Sequence, residues 1–352
     1  MALSITVDIE PTNRCNASCY FCPRDQTPHQ GLMSQQVFDR ALARVLELRD
    51  SHPQFENVQV SLCGLGEPLI NPKTPSWVQQ IRDAGFDCAM SSNGALLDER
   101  RGTALLEAGL QTININVGDE GERYEDVYKL PFQKTLDNIL RFKEMAGDGC
   151  KVNIVLVDYR LDREHIKYMV KYWQSHGFSG NDFVFFDIMN RGGALFVDHM
   201  QFEQYPELDE ARRLLTAGGR ELPICGAPFI FLFVGYDGQY YLCCSDWKKE
   251  VPLGSVFDGS FLSIVGEKLH HVSDRTALCR TCNWDPLNRL TEVLRAVNAG
   301  AEDEAERDRV IQVLHESTEQ VKEMLGRVDP ALLDAAPALA DRPRKRIPLT
   351  TV

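Results

Sequence analysis

The chain has 352 residues, 43% of them apolar, with eleven cysteines and a net charge of −13, which suits about two globular domains. The acidic charge argues against nucleic acid or an anionic membrane as a partner, because both bind basic patches, and no apolar run approaches the roughly twenty residues that span a bilayer. The N-terminus shows no signal peptide, so we expect a cytoplasmic protein whose cysteines bind metal or stay reduced.

Short β-rich runs alternate with segments of helical periodicity from residue 4 to about 190, a pattern typical of a parallel sheet covered by helices. The predicted strands are Ser4–Ile9, Asn57–Cys63, Asp87–Ser91, Thr112–Val117, Lys151–Leu156 and Asp182–Asp187. The predicted helices between them are Ser34–Arg49, Thr74–Ala84, Asp98–Ala108, Pro131–Ala146 and Asp162–His176. The fold class is therefore predicted to be α/β, a partial (β/α)6 barrel whose functional groups gather at the C-terminal ends of the strands.

A CxxxCxxC triplet, formed by Cys15, Cys19 and Cys22, follows the first predicted strand. A 4Fe–4S cluster is normally held by four thiolates, and a structural zinc site likewise fills four positions with protein atoms. Three thiolates in one short loop therefore suit a metal centre that is one protein ligand short. A structural zinc loop and three buried core thiols are the alternatives.

The triplet resembles the signature of the radical S-adenosylmethionine (SAM) superfamily, in which an aromatic residue, here Phe21, precedes the third cysteine. The resemblance implies a 4Fe–4S cluster whose open iron is chelated by SAM. It also implies cleavage of SAM to a 5′-deoxyadenosyl radical that takes hydrogen from carbon, and an external electron donor such as flavodoxin or ferredoxin.

Turns after the next strands carry residues that the resemblance places against SAM. Residues 63–68, CGLGEP, resemble the family's GGEP motif, in which glycines admit a close backbone approach and a carboxylate can bind the amino group of SAM. Residues 91–94, SSNG, resemble its S/T-N-G turn, although the same letters also form an ordinary turn. Alternation places Asn114 and Asn116 on one strand face. The predicted SAM contacts are Phe21, Gly64, Gly66, Glu67, Ser92, Asn93 and Asn116.

Charged residues at the ends of the later strands are candidates for positioning substrate or moving a proton. Each is equally compatible with a solvated loop charge. They are Asp119, Asp158, Asp187 and Arg191, the last in an Asn-Arg-Gly-Gly turn that resembles what many family members carry.

A second set of cysteines follows an acidic connector near residues 204–210. The Asp237-Gly238 pair predicts a hairpin, and the hairpin with a later CxxC can bring four thiolates to one point. The set resembles the twitch module, a shortened SPASM domain, which implies one auxiliary 4Fe–4S cluster; zinc is the alternative. The predicted ligands are Cys225, Cys243, Cys279 and Cys282.

Cys244 is left over beside this set. It is either an inert neighbour or a hydrogen-atom donor to a substrate radical, as an adjacent cysteine is in radical epimerases. After the CxxC the sequence predicts helices over Asp285–Val297 and Asp303–Leu325. The predicted domains are a partial barrel over 1–220, an auxiliary-cluster domain with a hairpin and helix over 221–285, and a helical extension over 286–352.

The leading functional hypothesis is oxidation of an alcohol to a ketone on a small polar, sugar- or aminocyclitol-like substrate. Redox-neutral epimerisation with Cys244 as hydrogen donor, modification of a peptide, and a non-catalytic zinc-binding protein are the alternatives. The sequence does not determine the oligomeric state. The candidate catalytic residues are Cys244, Asp187, Asp158 and Asp119.

Overall fold

The computed structural model describes residues 4–27, 29–53, 55, 57–192, 195, 202–329 and 331. Nine strands lie in these ranges: β1 Ser4–Ile9, β2 Asn57–Leu62, β3 Asp87–Ser92, β4 Thr112–Asn116, β5 Lys151–Asp158, β6 Phe183–Asp187, β7 Phe231–Val234, β8 Gln239–Tyr241 and β9 Pro252–Ser255.

Helices connect the parallel strands and form the C-terminal part of the described chain. Over the first half they are α1 Gln35–Ser51, α2 Thr74–Asp83, α3 Glu99–Glu107, α4 Gly121–Tyr128, α5 Phe132–Ala146 and α6 Arg163–Ser175. Further along they are α7 Glu207–Leu215, α8 Ala227–Ile230, α9 Val265–Ser273, α10 Ala277–Thr281, α11 Pro286–Asn298 and α12 Glu304–Val328. No helix in the described ranges is long and apolar enough to cross a membrane.

All nine strands belong to one sheet, in the order β6-β5-β4-β3-β2-β1-β7-β8-β9. Strands β1 to β6 pair in parallel, and β7 pairs in parallel with β1. The hairpin of β7 and β8 and the following β9 continue the sheet in antiparallel fashion. The predicted α/β class is confirmed, and the described strands form an open sheet in which β6 and β9 are the edges.

Alternation along the strands produces two different faces. One face is apolar and packs under the helices; in β4 it consists of Ile113 and Ile115, which are fully buried. The other face is polar, and we call it the concave face. It carries Asp8, Ser61, Cys63, Ser91, Asn114, Asn116 and Asn153 at inward positions of β1 to β5 and at the end of β2.

The six predicted strands and five predicted helices are present, with bounds shifted by at most two residues at either end. Ser34 accepts from the Val37 amide and Asp98 from the Arg101 amide, so both are N-caps. The sequence interpretation missed α4, β9 and the short helices α8 and α10. The predicted 286–352 extension is helical over α11 and α12, and residues 332–352 lie outside the described ranges.

Candidate active site

The cysteine triplet lies in the loop that leaves the C-terminal end of β1. Helix α4 holds this loop through its last turn, because Ser18 N donates to the Tyr128 carbonyl and Tyr20 N to the Val127 carbonyl, both at 3.1 Å. Arg24 Nη1 donates to the carbonyl of Cys15 at 2.6 Å. The loop conformation therefore does not depend on its thiols alone.

The three thiols are close enough to influence one another. Burial, with the neighbouring Cys22 and Cys15 thiols as smaller contributions, raises the pKa of Cys19 well above its usual value. Burial likewise raises the pKa of Cys15 to about 11. A metal centre that binds these groups must displace their protons, so loading is expected to be favoured by higher pH.

The cysteine triplet is not arranged as a single-ion site in the described part of the structure. Among the described residues, no three His, Cys, Asp or Glu side chains converge on a point where one metal ion would be bound. A tetrahedral zinc site needs sulfur atoms about 4 Å apart, given the Zn–S bond length. A 4Fe–4S cluster places its thiolates on separate irons and so spreads them further.

The loop at residues 63–68 packs directly on the chain that enters the triplet. A Cβ at Gly66 would lie 2.3 Å from the Arg14 carbonyl oxygen and 2.6 Å from that of Thr12. The amide of Glu67 donates to the same Arg14 oxygen at 2.9 Å. In this structure Gly66 therefore allows two backbone segments to approach one another, whereas the sequence interpretation assigned its openness to a ligand.

Gly66→Ala is expected to displace residues 12–14 and to lower the fraction of protein that assembles the first cluster by about tenfold, because backbone atoms cannot yield to a Cβ at 2.3 Å. The fraction of protein with an assembled cluster is measured after anaerobic reconstitution, from the iron and sulfide content and the visible absorption. Gly180→Ala is the matched control, since a Cβ there meets no atom within 4 Å. Equal cluster content in both variants would contradict the packing role of Gly66.

Glu67 organises the turn at residues 91–94. Its buried carboxylate accepts from Ser92 Oγ at 3.0 Å, from Asn93 N at 2.8 Å and from Leu69 N at 3.1 Å. Burial raises its pKa to about 7, against the opposing effect of these hydrogen bonds. Asn93 Nδ2 in turn lies 3.7 Å from Cys15 Sγ. The structure thus brings Glu67, Ser92 and Asn93 together beside the triplet, and protein donors already occupy the carboxylate.

Phe21 and Asp119 both contact Tyr159. The Phe21 ring stacks on the Tyr159 ring with centroids 4.9 Å apart, and the Tyr159 hydroxyl donates to Asp119. Arg160 Nη2 donates to Asp119 at 2.9 Å, and His165 Nε2 lies 3.2 Å from the same oxygen. Asp119 is fully buried. Its oxygens are therefore occupied, and it supports the aromatic wall beside Phe21.

The other predicted residues differ in what surrounds them. Asn116 is half-buried on the concave face and lies 3.4 Å from the Tyr128 hydroxyl. Asp158 accepts from the Asp162 amide at 2.9 Å, which closes the turn before α6. The backbone of Asp187 ends β6, and its side chain lies outside the described part of the chain, as does Gly193.

The second cysteine set also comes together. Burial raises the pKa of Cys225, with Cys282 and Cys279 as smaller contributions, and raises that of Cys243, with Cys244, Cys282 and Cys225 as smaller contributions. These mutual effects show that the four predicted ligands, which come from three separate segments, lie near one another. The arrangement suits a fully ligated cluster.

The Asn-Arg-Gly turn after β6 supports the CxxC segment. Asn190 N donates to Asn283 Oδ1 at 3.1 Å, and Asn283 N donates back to Asn190 Oδ1 at 3.2 Å. The guanidinium of Arg191 lies 5.0 Å from the centre of the Trp247 ring. This turn therefore joins the parallel sheet to the second cysteine set, which its sequence alone did not indicate.

A buried ion pair was also missed by the sequence interpretation. Glu10 is fully buried and lies 2.7 Å from Lys249 Nζ. The same carboxylate accepts from Leu65 N at 2.9 Å and from Tyr236 N at 3.1 Å. It therefore joins the end of β1, the loop at 63–68 and the hairpin. The only sequence signal was a charged residue continuing the polar alternation of Thr6 and Asp8.

Comparisons with known proteins place both cysteine sets in described domains. Residues 9–171 match the Radical SAM superfamily, and residues 225–283 match SPASM, an iron–sulfur cluster-binding domain. The fold is similar to that of anSMEcpe with bound AdoMet, with a TM-score of 0.57 at 15% identity over 93% of this chain and 99% of that one. It is also similar to Streptococcus suis SuiB bound to precursor peptide SuiA, with a TM-score of 0.55 at 12% identity over 81% of this chain and 71% of that one.

Two curated relatives are a probable GTP 3′,8-cyclase of Methanothermobacter thermautotrophicus and a GTP 3′,8-cyclase of Limosilactobacillus fermentum. The first is 30% identical over 150 residues, 42% of this chain and 46% of the relative. The second is 29% identical over 176 residues, 48% of this chain and 51% of the relative. The chain thus spans about half the length of these relatives.

The chain therefore contains a radical SAM domain followed by a SPASM iron–sulfur domain. Its cofactors are SAM, a 4Fe–4S cluster and an auxiliary cluster.

Proposed function

We propose that the enzyme oxidises a secondary alcohol of a small polar, sugar- or aminocyclitol-like substrate to a ketone. The observation that carries the proposal is the polar concave face. Asn93 connects this region to Cys15, and Cys63 at the end of β2 lies near Cys244 of the second cysteine set. A substrate on this face would have both cysteine sets as neighbours.

An unpartnered oxygen on the concave face supports a substrate with hydroxyl groups. Asn153 is 7% exposed and donates through Nδ2 to Asn114 Oδ1 at 2.9 Å. Its own Oδ1 is buried and has no hydrogen-bond partner in the described structure. Leaving a buried acceptor unpaired costs about 1–3 kcal/mol. A hydroxyl group of the substrate would satisfy it.

The two cysteine sets differ in the number of thiolates, and we propose a different role for each. Cys15, Cys19 and Cys22 would hold a cluster with one open position, whereas Cys225, Cys243, Cys279 and Cys282 would fill all four positions of the other. When bound, the first cluster and SAM supply a 5′-deoxyadenosyl radical that takes the carbinol hydrogen. The second cluster, which has no open iron, supplies a one-electron acceptor. We propose a flavodoxin or ferredoxin as the external electron donor.

The names of the relatives suggest a nucleotide as another substrate. Their matched stretches, 150 and 176 residues, are about the length of the radical SAM domain alone. A triphosphate requires basic or metal-bound partners. The concave positions defined above carry hydroxyl, thiol, amide and carboxyl groups, which can hydrogen-bond the hydroxyl groups of a polyol. The two domain matches leave the zinc-protein alternative without support.

Epimerisation is the second candidate, and the position of Cys244 favours it. Its thiol is half-buried and lies near Cys63, Asp8 and Arg191. A thiol beside the concave face is placed to return a hydrogen atom to a substrate radical.

Peptide modification, the other alternative, is supported by the fold similarity to SuiB only at the level of architecture.

The test uses anaerobically reconstituted enzyme, SAM, a one-electron reductant and polyols deuterated at each carbinol carbon. Oxidation predicts deuterium in 5′-deoxyadenosine and one ketone per SAM cleaved. Conversion of GTP instead of any polyol would overturn the proposal. In deuterated water, an epimer that carries solvent deuterium, and that is no longer formed by Cys244→Ala, would establish the second candidate. The oxidation predicts instead that Cys244→Ala still forms ketone.

A further inference from the structure

A buried carboxyl group lies on the concave face near the second cysteine set. Asp8 of β1 is 7% exposed and pairs in register with Ser61 of β2. The Cys63 thiol donates to Asp8 Oδ1 at 3.2 Å. Within the described residues this thiol is its one hydrogen-bond donor, and a thiol is a weak donor. The carboxylate therefore has unused acceptor capacity.

The groups that face Asp8 come from three elements. Cys63 lies at the end of β2, Lys268 on α9, and Cys244 in the segment after β8. Lys268 is fully buried and donates from Nζ to the Pro228 carbonyl at 2.7 Å. A partly compensated carboxylate thus lies between the concave face and the auxiliary cysteines.

The other described carboxylates near the site already have strong partners. Glu10 is paired with Lys249, and Asp119 is paired with Arg160. Glu67 accepts from two backbone amides and a hydroxyl. Asp8 differs from all three because neither a cation nor an amide is hydrogen-bonded to it in the described structure.

We propose that Asp8 accepts the hydroxyl proton of the substrate during oxidation, with Cys63 as a positioning residue for its carboxylate. This inference rests on the proposed function. The carbinol C–H hydrogen goes to the 5′-deoxyadenosyl carbon and the O–H proton goes to Asp8. The remaining electron goes to a one-electron oxidant, the fully ligated iron–sulfur centre, and the C–O bond becomes C=O.

Burial raises the pKa of Asp8 to about 7, against smaller lowering by Cys63 and Lys268. A proton acceptor is most effective when its pKa lies near the working pH. Asp8 is the ionised acceptor only above this value, so ketone formation is expected to rise with pH through about 7. The thiol hydrogen bond lowers this pKa, so Cys63→Ala is expected to move the midpoint of the profile to higher pH.

Asp8→Asn is the direct test, in reconstituted holoenzyme with the deuterated polyol that the wild type oxidises. Ketone formation is expected to fall by about 100-fold or more, while deuterium transfer to 5′-deoxyadenosine continues and a substrate radical accumulates in the EPR spectrum. The pH profile through 7 is expected to disappear. Asp39→Asn, an exposed carboxylate on α1, is the matched control.

Folding of the variant is checked by unfolding at several pH values. Because the native pKa is raised, Asp8 contributes stability below about pH 4 that is lost as pH rises through about 7. Asparagine does not ionise, so Asp8→Asn does not lose stability over this pH range. The variant is therefore expected to be at least as stable as wild type at pH 8.

Two results overturn the assignment separately from the proposed function. If wild type forms ketone and Asp8→Asn forms it equally fast, Asp8 is not the acceptor and the oxidation stands. If Asp8→Asn loses deuterium transfer as fully as ketone, Asp8 acts only in structure. If Cys63→Ala leaves the pH midpoint unchanged, Cys63 does not position the Asp8 carboxylate. If wild type oxidises no polyol, the proposed function and the assignment both fall.

Discussion

Replacing Cys15, Cys19 and Cys22 together with alanine is expected to abolish reductive cleavage of SAM while the auxiliary cluster still assembles. The loop keeps its backbone bonds to Tyr128 and Val127 of α4, so loss of the thiols removes the cluster without unfolding the segment. Iron content is expected to fall by about half. Iron and sulfide analysis, EPR of the reduced protein and release of 5′-deoxyadenosine measure these effects.

The matched control removes two ligands of the second set, Cys279 and Cys282. That variant is expected to lose the auxiliary cluster, to retain uncoupled SAM cleavage, and to form no ketone because the second electron has no acceptor. If the triple variant still cleaved SAM, or both variants lost the same cluster, the division of the cysteines into two independent sites would be wrong.

Regular elements were predictable because local periodicity specifies them. Strands β1 to β6 each have an apolar face on alternate residues, and the apolar face packs under helices. Asn114 and Asn116 lie on the same face of β4, as alternation predicted. Helix α4 was missed because Gly121–Tyr128 is short and strongly charged. Only its tertiary contacts, two buried tyrosines and the cysteine loop, show its role.

The roles of individual site residues depend on long-range contacts that periodicity does not encode. Glu67 resembled a SAM ligand, yet its carboxylate is bound to Ser92 and Asn93 from the next strand. Asp8 lies in the predicted strand Ser4–Ile9 and was not among the predicted site residues, although the structure places it against Cys63, 55 positions further along the sequence. A strand with a polar residue at every second position was the available signal for both Asp8 and Glu10.

Lys249→Met is expected to lower the free energy of unfolding by about 3–5 kcal/mol, because it leaves Glu10 as a buried charge without its cation. Glu10 is fully buried and Lys249 nearly so, and the pair is also bound to Leu65 and Tyr236. Urea unfolding of the apoprotein measures the loss.

The loss of unfolding free energy distinguishes a buried ion pair from an exposed ion pair with a similar N–O distance. Lys322→Met removes an ion pair with Glu221 at 2.9 Å whose side chains are 36% and 77% exposed, and it is expected to cost less than about 1 kcal/mol. Glu10→Gln combined with Lys249→Met is expected to recover part of the loss, since the orphaned charge is then absent. Equal effects of the two lysine variants would show that Glu10 does not need its cation.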